Sequence, residues 1–372
     1  MRRFFSALFL IALAAGCAMS GAKPVFVSDA ADAGQTKRSM WEERVGALAG
    51  EHDFDGVVLI ALGDEKVFER GYGDANRSWK IPNTLETKFR IASLSKTFTA
   101  VLVLQLVDEG VLSFDDTLAT MLPAYRADYA GEVTLHHLLA HTSGISHYID
   151  LPGWFDGAYL QPRTVDAFLS DIAALPLNAQ PGEKYRYSNA NYYFLGLIIE
   201  RVTGKSFETV LSERILKPLS LNDTGHFTNS AIVASLAQNY IRTDDGAFTR
   251  AGATNDALFT ATGSLYSTAE DLFLWRRGLW ASDLLSNAER SIMFDRAAPI
   301  AWTFERRDLN DSGVSSSIWS YNGEIDGYTS MIMFTEEANH LVVLLNNNNA
   351  GFNALRSMSL DILKSAMNDM AL

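Results

Sequence analysis

Phe89-Arg90-Ile91-Ala92-Ser93-Leu94-Ser95-Lys96-Thr97-Phe98 is followed by an apolar run that continues to Val107. Beyond Lys96, the residues Phe98, Val101, Leu102, Gln105 and Leu106 recur at helical spacing, and Gly110 after Asp108 and Glu109 offers a stop. The stretch therefore predicts a long, largely buried helix with a serine at its start. Three-residue spacing on a helix puts Ser93 and Lys96 on one face, within reach of each other. A serine hydroxyl needs a neighbouring base to act as a nucleophile, and a lysine whose charged form is disfavoured by burial can serve. The helix start adds unpaired N–H groups that favour a developing oxyanion. The four-residue spacing is weak by itself, since it recurs at Ser20-Gly21-Ala22-Lys23 in a polar segment with no helix behind it. The apolar helix singles out Ser93.

Upstream, Met1-Arg2-Arg3, the apolar run Phe4 to Ala15 and the small-residue stop Gly16-Cys17 form a secretory signal pattern too short for a comfortable membrane span. Cys17 is the only cysteine in 372 residues, which excludes an intrachain disulfide and a redox pair. Ala14-Ala15-Gly16-Cys17 resembles a bacterial lipobox, which implies lipidation at Cys17 and an exported, periplasmic or envelope protein tethered to a membrane. Residues 1–17 are read as this signal, 18–40 as a flexible tether and 41–372 as one catalytic domain. The formal net charge is −13, and loss of Arg2 and Arg3 with the signal makes the chain more acidic still. A nucleic-acid partner, which needs a basic face, is not expected.

Phe54 to Leu62, a Gly63-Asp64 turn and Lys66 to Tyr72 predict a β-hairpin. From about residue 100 to 236 the pattern is mostly helical, with the stronger segments at Thr134 to Leu139, Thr164 to Ala173, Asn191 to Val202 and Phe207 to Leu216. Ser316 to Tyr321, Tyr328 to Phe334 and Leu341 to Leu345 read as strands, with turns at Gly323 to Gly327 and Glu336 to Asn339, and Phe352 to Met367 reads as a closing helix. Strands at both ends with helices between them predict an α+β fold: an antiparallel sheet flanked by helices, with an inserted helical lobe and a cleft between the two.

Tyr187-Ser188-Asn189, the single Tyr-x-Asn in the chain, lies where a loop opens a helix. A phenol beside a lysine can shuttle a proton and an amide can hold a substrate carbonyl; equally, Asn189 can cap the helix. His136, His137 and His141 cluster in sequence, but no His-Glu-x-x-His motif, cysteine or close carboxylate completes a metal site, and neither a metal nor a cofactor is expected.

With Ser93-x-x-Lys96 and Tyr187-x-Asn189 stand three further blocks: Gly110-Val111-Leu112-Ser113-Phe114-Asp115-Asp116, Leu138-Leu139-Ala140-His141-Thr142-Ser143-Gly144 and Lys217-Pro218-Leu219. Gly263-Ser264-Leu265-Tyr266-Ser267-Thr268-Ala269-Glu270-Asp271 adds another. In this order, from about Val45 to the end, the chain resembles the serine β-lactamase-related superfamily, in its class C-like branch with D-alanyl-D-alanine carboxypeptidases and family VIII-type esterases. The resemblance implies a β-lactamase/transpeptidase-like fold and an acyl-enzyme at Ser93. It also implies proton handling by Lys96 and Tyr187, and a substrate or network contact at Asn189. His141 falls in a structural motif at a helix end.

The third motif departs from the family pattern. Where relatives carry Lys-x-Gly or His-x-Gly on a strand, this chain has Tyr321-Asn322-Gly323, with Gly327-Tyr328 following. The cation that helps hold a substrate carboxylate is replaced by a phenol. Gly323 still permits close approach of a substrate, and by analogy the Glu324 and Ser93 N–H groups form the oxyanion hole. A serine hydrolase of small esters or amides is therefore expected. The alternatives are a D-amino-acid peptidase or carboxypeptidase acting on D-peptides, a weak β-lactamase, or a penicillin-binding-like envelope protein that acylates without turnover.

Overall fold

The computed structural model describes residues 29–369 apart from 126, 253–254, 282 and 310–314. The signal and lipobox expectations, Cys17 included, lie outside the described residues. The main sheet has six strands: β1 (Gly56–Leu62), β2 (Glu65–Tyr72), β3 (Thr303–Asp308), β4 (Ser315–Ile325), β5 (Tyr328–Thr335) and β6 (Leu341–Asn346). Their order is β3-β4-β5-β6-β1-β2, and every neighbouring pair is antiparallel. The two ends of the chain meet where Val58 pairs with Leu344 and Ile60 with Val342.

Both faces of this sheet are covered, which explains why its central strands read as continuous apolar runs rather than alternating ones. Val58, Ile60, Met331, Met333, Val342 and Leu344 face two terminal helices, α1 (Asp29–Glu51) and α5 (Phe352–Asp369), through Trp41, Val45, Leu355, Met358 and Ile362. Val57, Leu59, Ile332, Phe334, Val343 and Leu345 belong to the larger core on the other side. That core also holds the buried helix α2 (Ser95–Asp108), α3 (Asn189–Thr203) and α4 (Ala269–Ala281). Phe98 of α2 stacks on Trp275 of α4, with ring centroids 3.9 Å apart.

Three local expectations are corrected. Helix α1 begins at Asp29, inside the stretch read as a tether, because helical propensity in a short alanine-bearing segment extends outward from the buried stripe of Trp41, Val45 and Ala49. The expected turn at Gly323 to Gly327 is only Asp326-Gly327: β4 runs on to Ile325, which pairs with Tyr328. Positive φ at both turn residues, 26° and 83°, matches the tight hairpin geometry that suits twisted strands. Finally, Ser188 rather than Asn189 caps α3, its hydroxyl accepting from the Ala190 N–H.

Candidate active site

The nucleophile candidate sits on a strained turn, not inside a regular helix. A short strand, Phe89–Arg90, pairs with Leu265–Ser267 and delivers the chain to a single 3₁₀ turn, Ala92–Leu94, from which α2 continues. Ala92 holds φ at +47°, a left-handed conformation that costs a residue with a side chain on the order of 1–3 kcal/mol. The neighbouring residue pins it: the Ile91 N–H donates to the Leu265 carbonyl at 2.9 Å, and the Ile91 carbonyl accepts from Ser330 Oγ at 2.8 Å and from the Leu94 N–H at 3.1 Å. Ser93 is thereby presented half-buried while its neighbours are buried.

Lys96, one turn on, is fully buried. Its Nζ stands 3.0 Å from Ser93 Oγ and donates to the Thr262 carbonyl at 2.6 Å, beneath the rings of Tyr187 and Tyr192 at 5.2 and 5.8 Å. Burial, which penalises the ammonium, pushes its pKa well below the ordinary 10.5. The expected contact of Ser93 with Lys96 exists, made across the junction of the 3₁₀ turn and α2.

Tyr187 ends the loop before α3, and its hydroxyl lies 2.8 Å from Ser93 Oγ. The same hydroxyl donates to Asn189 Oδ1 at 3.0 Å. A phenol has one proton, so with that proton directed at Asn189 the Ser93 hydroxyl donates to Tyr187 Oη. Burial raises the Tyr187 pKa above 10, with the hydrogen bond from Ser93 working against that rise. The phenol is kept protonated while the lysine is eased toward its neutral form.

Tyr321 and Gly323 share one face of β4, and both reach this cluster. The Tyr321 ring lies near Tyr187, Tyr192 and Tyr185, where burial raises its pKa well above 10, and it packs 6.4 Å from that of Trp302. A Cβ on Gly323 would meet Ile91 O at 2.0 Å and Ser93 N at 2.8 Å, so the strand backbone lies directly beside Ser93. Glu324 is exposed and its side chain belongs to the opposite face of the strand, which leaves only its backbone available to a substrate beside Ser93.

Sequence reasoning did not find Thr262, whose carbonyl anchors Lys96, although it immediately precedes the Gly263 to Asp271 block. It also passed over His147, whose ring centroid lies 6.0 Å from that of Tyr187 and whose pKa burial pushes down to about 4, with a further push from Lys96. No spacing marks either residue. The three clustered histidines separate: His137 Nδ1 accepts from the Thr134 N–H in a helix cap, while His141 is buried against Tyr187 and Tyr192. Among the described residues no group of three or more His, Cys, Asp or Glu side chains is placed to hold a metal ion. No described helix is long and apolar enough to cross a membrane.

The profile of the Beta-lactamase family matches residues 41–363. Penicillin-binding protein 4* of Bacillus subtilis (strain 168) is 28% identical over 336 residues, spanning 84% of this chain and 72% of that protein. Esterase EstB of Burkholderia gladioli is 34% identical over 181 residues, 45% of this chain and 46% of the esterase. Among solved structures, a penicillin binding protein from Bacillus halodurans superposes with a TM-score of 0.72 at 27% identity, covering 84% of this chain and 97% of that one.

Proposed function

The chain belongs to the Beta-lactamase family and is a serine hydrolase, and we propose that it works through an acyl-enzyme at Ser93 on small, uncharged esters or amides. The observation that carries this reading is the placement of Ser93 Oγ 2.8 Å from Tyr187 Oη and 3.0 Å from Lys96 Nζ. Ser93 Oγ bonds to the substrate carbonyl carbon while its proton passes to the Lys96 and Tyr187 pair. The oxyanion is met by the Ser93 N–H and, on β4, the Glu324 N–H. Collapse breaks the bond to the leaving alcohol or amine, which takes the proton from the same pair. Water then attacks the acyl carbonyl, releasing a carboxylic acid and restoring the Ser93 hydroxyl.

The preference for uncharged substrates rests on Tyr321. A phenol offers one neutral hydrogen bond where a cation would offer charge, so a free substrate carboxylate gains less here than at an ammonium or imidazolium. The likeness to a protein named as an esterase supports the same reading. Asn189, already an acceptor for Tyr187, keeps its amide NH₂ for a substrate carbonyl. We place the enzyme outside the cytoplasm, lipidated at Cys17, on the basic start, apolar run and small-residue stop of residues 1–17.

The test compares the protein lacking residues 1–17 with its Ser93→Ala variant on a short p-nitrophenyl ester and a chromogenic cephalosporin. Ester turnover that disappears in the variant is the expected result. Cephalosporin cleavage at a comparable rate overturns the preference for uncharged substrates. A stable Ser93 adduct without turnover, seen by mass spectrometry, makes the protein a penicillin-binding-type receptor instead.

A further inference from the structure

His141 is fully enclosed and makes contact with the loop that carries Tyr187 on several sides. Its carbonyl accepts from the Arg186 N–H at 2.7 Å. Its Nδ1 accepts from the Ser188 N–H at 3.2 Å and lies 3.1 Å from Asn191 Nδ2. Its ring lies between two phenols, 4.6 Å from the Tyr187 ring and 5.0 Å from the Tyr192 ring. The residues on either side of Tyr187 are thus both tied to one histidine, from a segment more than forty positions earlier.

The hydrogen bonds also fix the state of the imidazole. A backbone N–H can only donate, so Nδ1 must carry a lone pair, and the ring proton sits on Nε2. Nε2 is buried and has no hydrogen-bond partner among the described residues. A second proton would have to replace the lone pair facing Ser188 and would stand near Lys96. Burial, Lys96 and His147 all push the His141 pKa well below 6.5, against the Ser188 bond. The backbone of His141 is itself left-handed, at φ +55°. That conformation is rare for residues other than glycine, with asparagine the most tolerant.

We propose that His141 is a positioning residue for Tyr187: as a neutral Nε2–H imidazole it holds the Arg186–Ser188 segment so that the Tyr187 hydroxyl stays within hydrogen-bond distance of Ser93. This rests on the acyl-enzyme reading above, but it assigns a role to a side chain that touches no reacting atom. The Nδ1 lone pair does the holding. Asparagine at 141 places an amide oxygen near the Nδ1 position and tolerates the left-handed backbone; glutamine reaches toward Nε2 instead, and alanine supplies neither acceptor.

The experiment uses the full chain carrying His141→Ala, His141→Gln or His141→Asn, each checked for a cooperative thermal transition. Turnover of a p-nitrophenyl ester and the rate of Ser93 labelling by a fluorophosphonate are both measured. The expected result is a kcat lowered about 10- to 100-fold in the alanine and glutamine variants at little-changed KM, with most of it restored by asparagine, and the same order in labelling rate. Folded variants that match the wild type, or an asparagine variant no better than alanine, overturn the proposal. If the wild type is labelled at Ser93 but turns over no ester, the substrate reading fails and the labelling order still decides the role of His141; no labelling in the wild type sinks both. Nitrogen NMR of the wild type supplies a separate check, since an Nδ1–H tautomer or a ring that protonates near pH 6.5 contradicts the lone pair on which the role depends.

Discussion

Gly323 lies so close to Ser93 that a Cβ on the glycine would stand 2.8 Å from the Ser93 backbone nitrogen, and 2.0 Å from the Ile91 carbonyl oxygen. Two of the obstructing atoms are backbone, held by the bonds of Ile91 to Leu265 and Ser330, and the third is Ser330 Oγ, itself bonded to the Ile91 carbonyl, so the backbone pair cannot turn aside as a flexible side chain would. The sheet and the turn that carries Ser93 are therefore docked through the absence of one side chain.

Gly323→Ala should push β4 and the Ser93 turn apart. The expected cost is about 1–3 kcal/mol of stability from overpacking, and a fall in kcat of about 10²–10³ if an oxyanion donor is displaced. Thermal unfolding and ester kinetics measure the two effects separately. A variant with wild-type kcat would show that the approach of β4 to Ser93 has no part in catalysis.

Lys96→Met should lower kcat about 10²- to 10⁴-fold, the usual contribution of a positioned proton carrier. In the wild type, kcat/KM should rise with pH as Lys96 loses its proton and level off well below pH 10.5. Stability carries the same signature. Between the depressed folded pKa and 10.5 the unfolded chain binds more protons, so wild-type stability rises with pH across that window, and the difference between wild type and variant should rise with it. A variant with full activity, or a flat difference curve, contradicts the assignment.

His147 has a folded pKa of about 4 against an ordinary 6.5, so the unfolded chain binds more protons between those values. Stability contributed by the neutral ring is present above pH 6.5 and lost as the pH falls toward 4. The loss is at most about 3 kcal/mol and smaller once solvent screening is included. His147→Asn, which keeps an acceptor for the Ile149 N–H, should flatten denaturation midpoints over that range. Parallel curves for the two proteins would show that another group controls acid sensitivity.

Tyr321→Lys should restore a charge-assisted partner for carboxylates. The ratio of kcat/KM for a carboxylate-bearing substrate to that for its neutral counterpart is expected to rise about 10- to 100-fold. An unchanged ratio means that residue 321 does not face the substrate's carboxylate position.

The sequence was most legible where the physics is local. Ser93 and Lys96 are three residues apart, and their contact follows from chain geometry; the helical segments read at Thr134 to Leu139, Thr164 to Ala173 and Phe207 to Leu216 each contain a helix, and in the structure Thr134, Thr164 and Ser206 cap them. It was least legible at the charged edge of the sheet. Strand β3, Thr-Phe-Glu-Arg-Arg-Asp, has no apolar alternation because an edge strand faces water, and it passed unread. Helix α4 was missed as well: with Leu272, Phe273, Trp275, Arg276 and Leu279 all buried, its sequence shows no clean polar stripe.

By itself, then, the sequence determined the pairing of Ser93 with Lys96, the loop carrying Tyr187, the helix behind Ser93 and the mixing of terminal strands with a helical middle, because each depends on residue type and short spacing. Tertiary structure alone decided what surrounds Ser93 and Lys96. The Thr262 carbonyl comes from 166 positions away, the Tyr187 hydroxyl from 94 positions beyond Ser93, and the close approach of Gly323 from the far end of the chain. Burial and long-range contacts set the charge of a lysine and the direction of a hydroxyl proton, and those are properties of packing that no local pattern encodes.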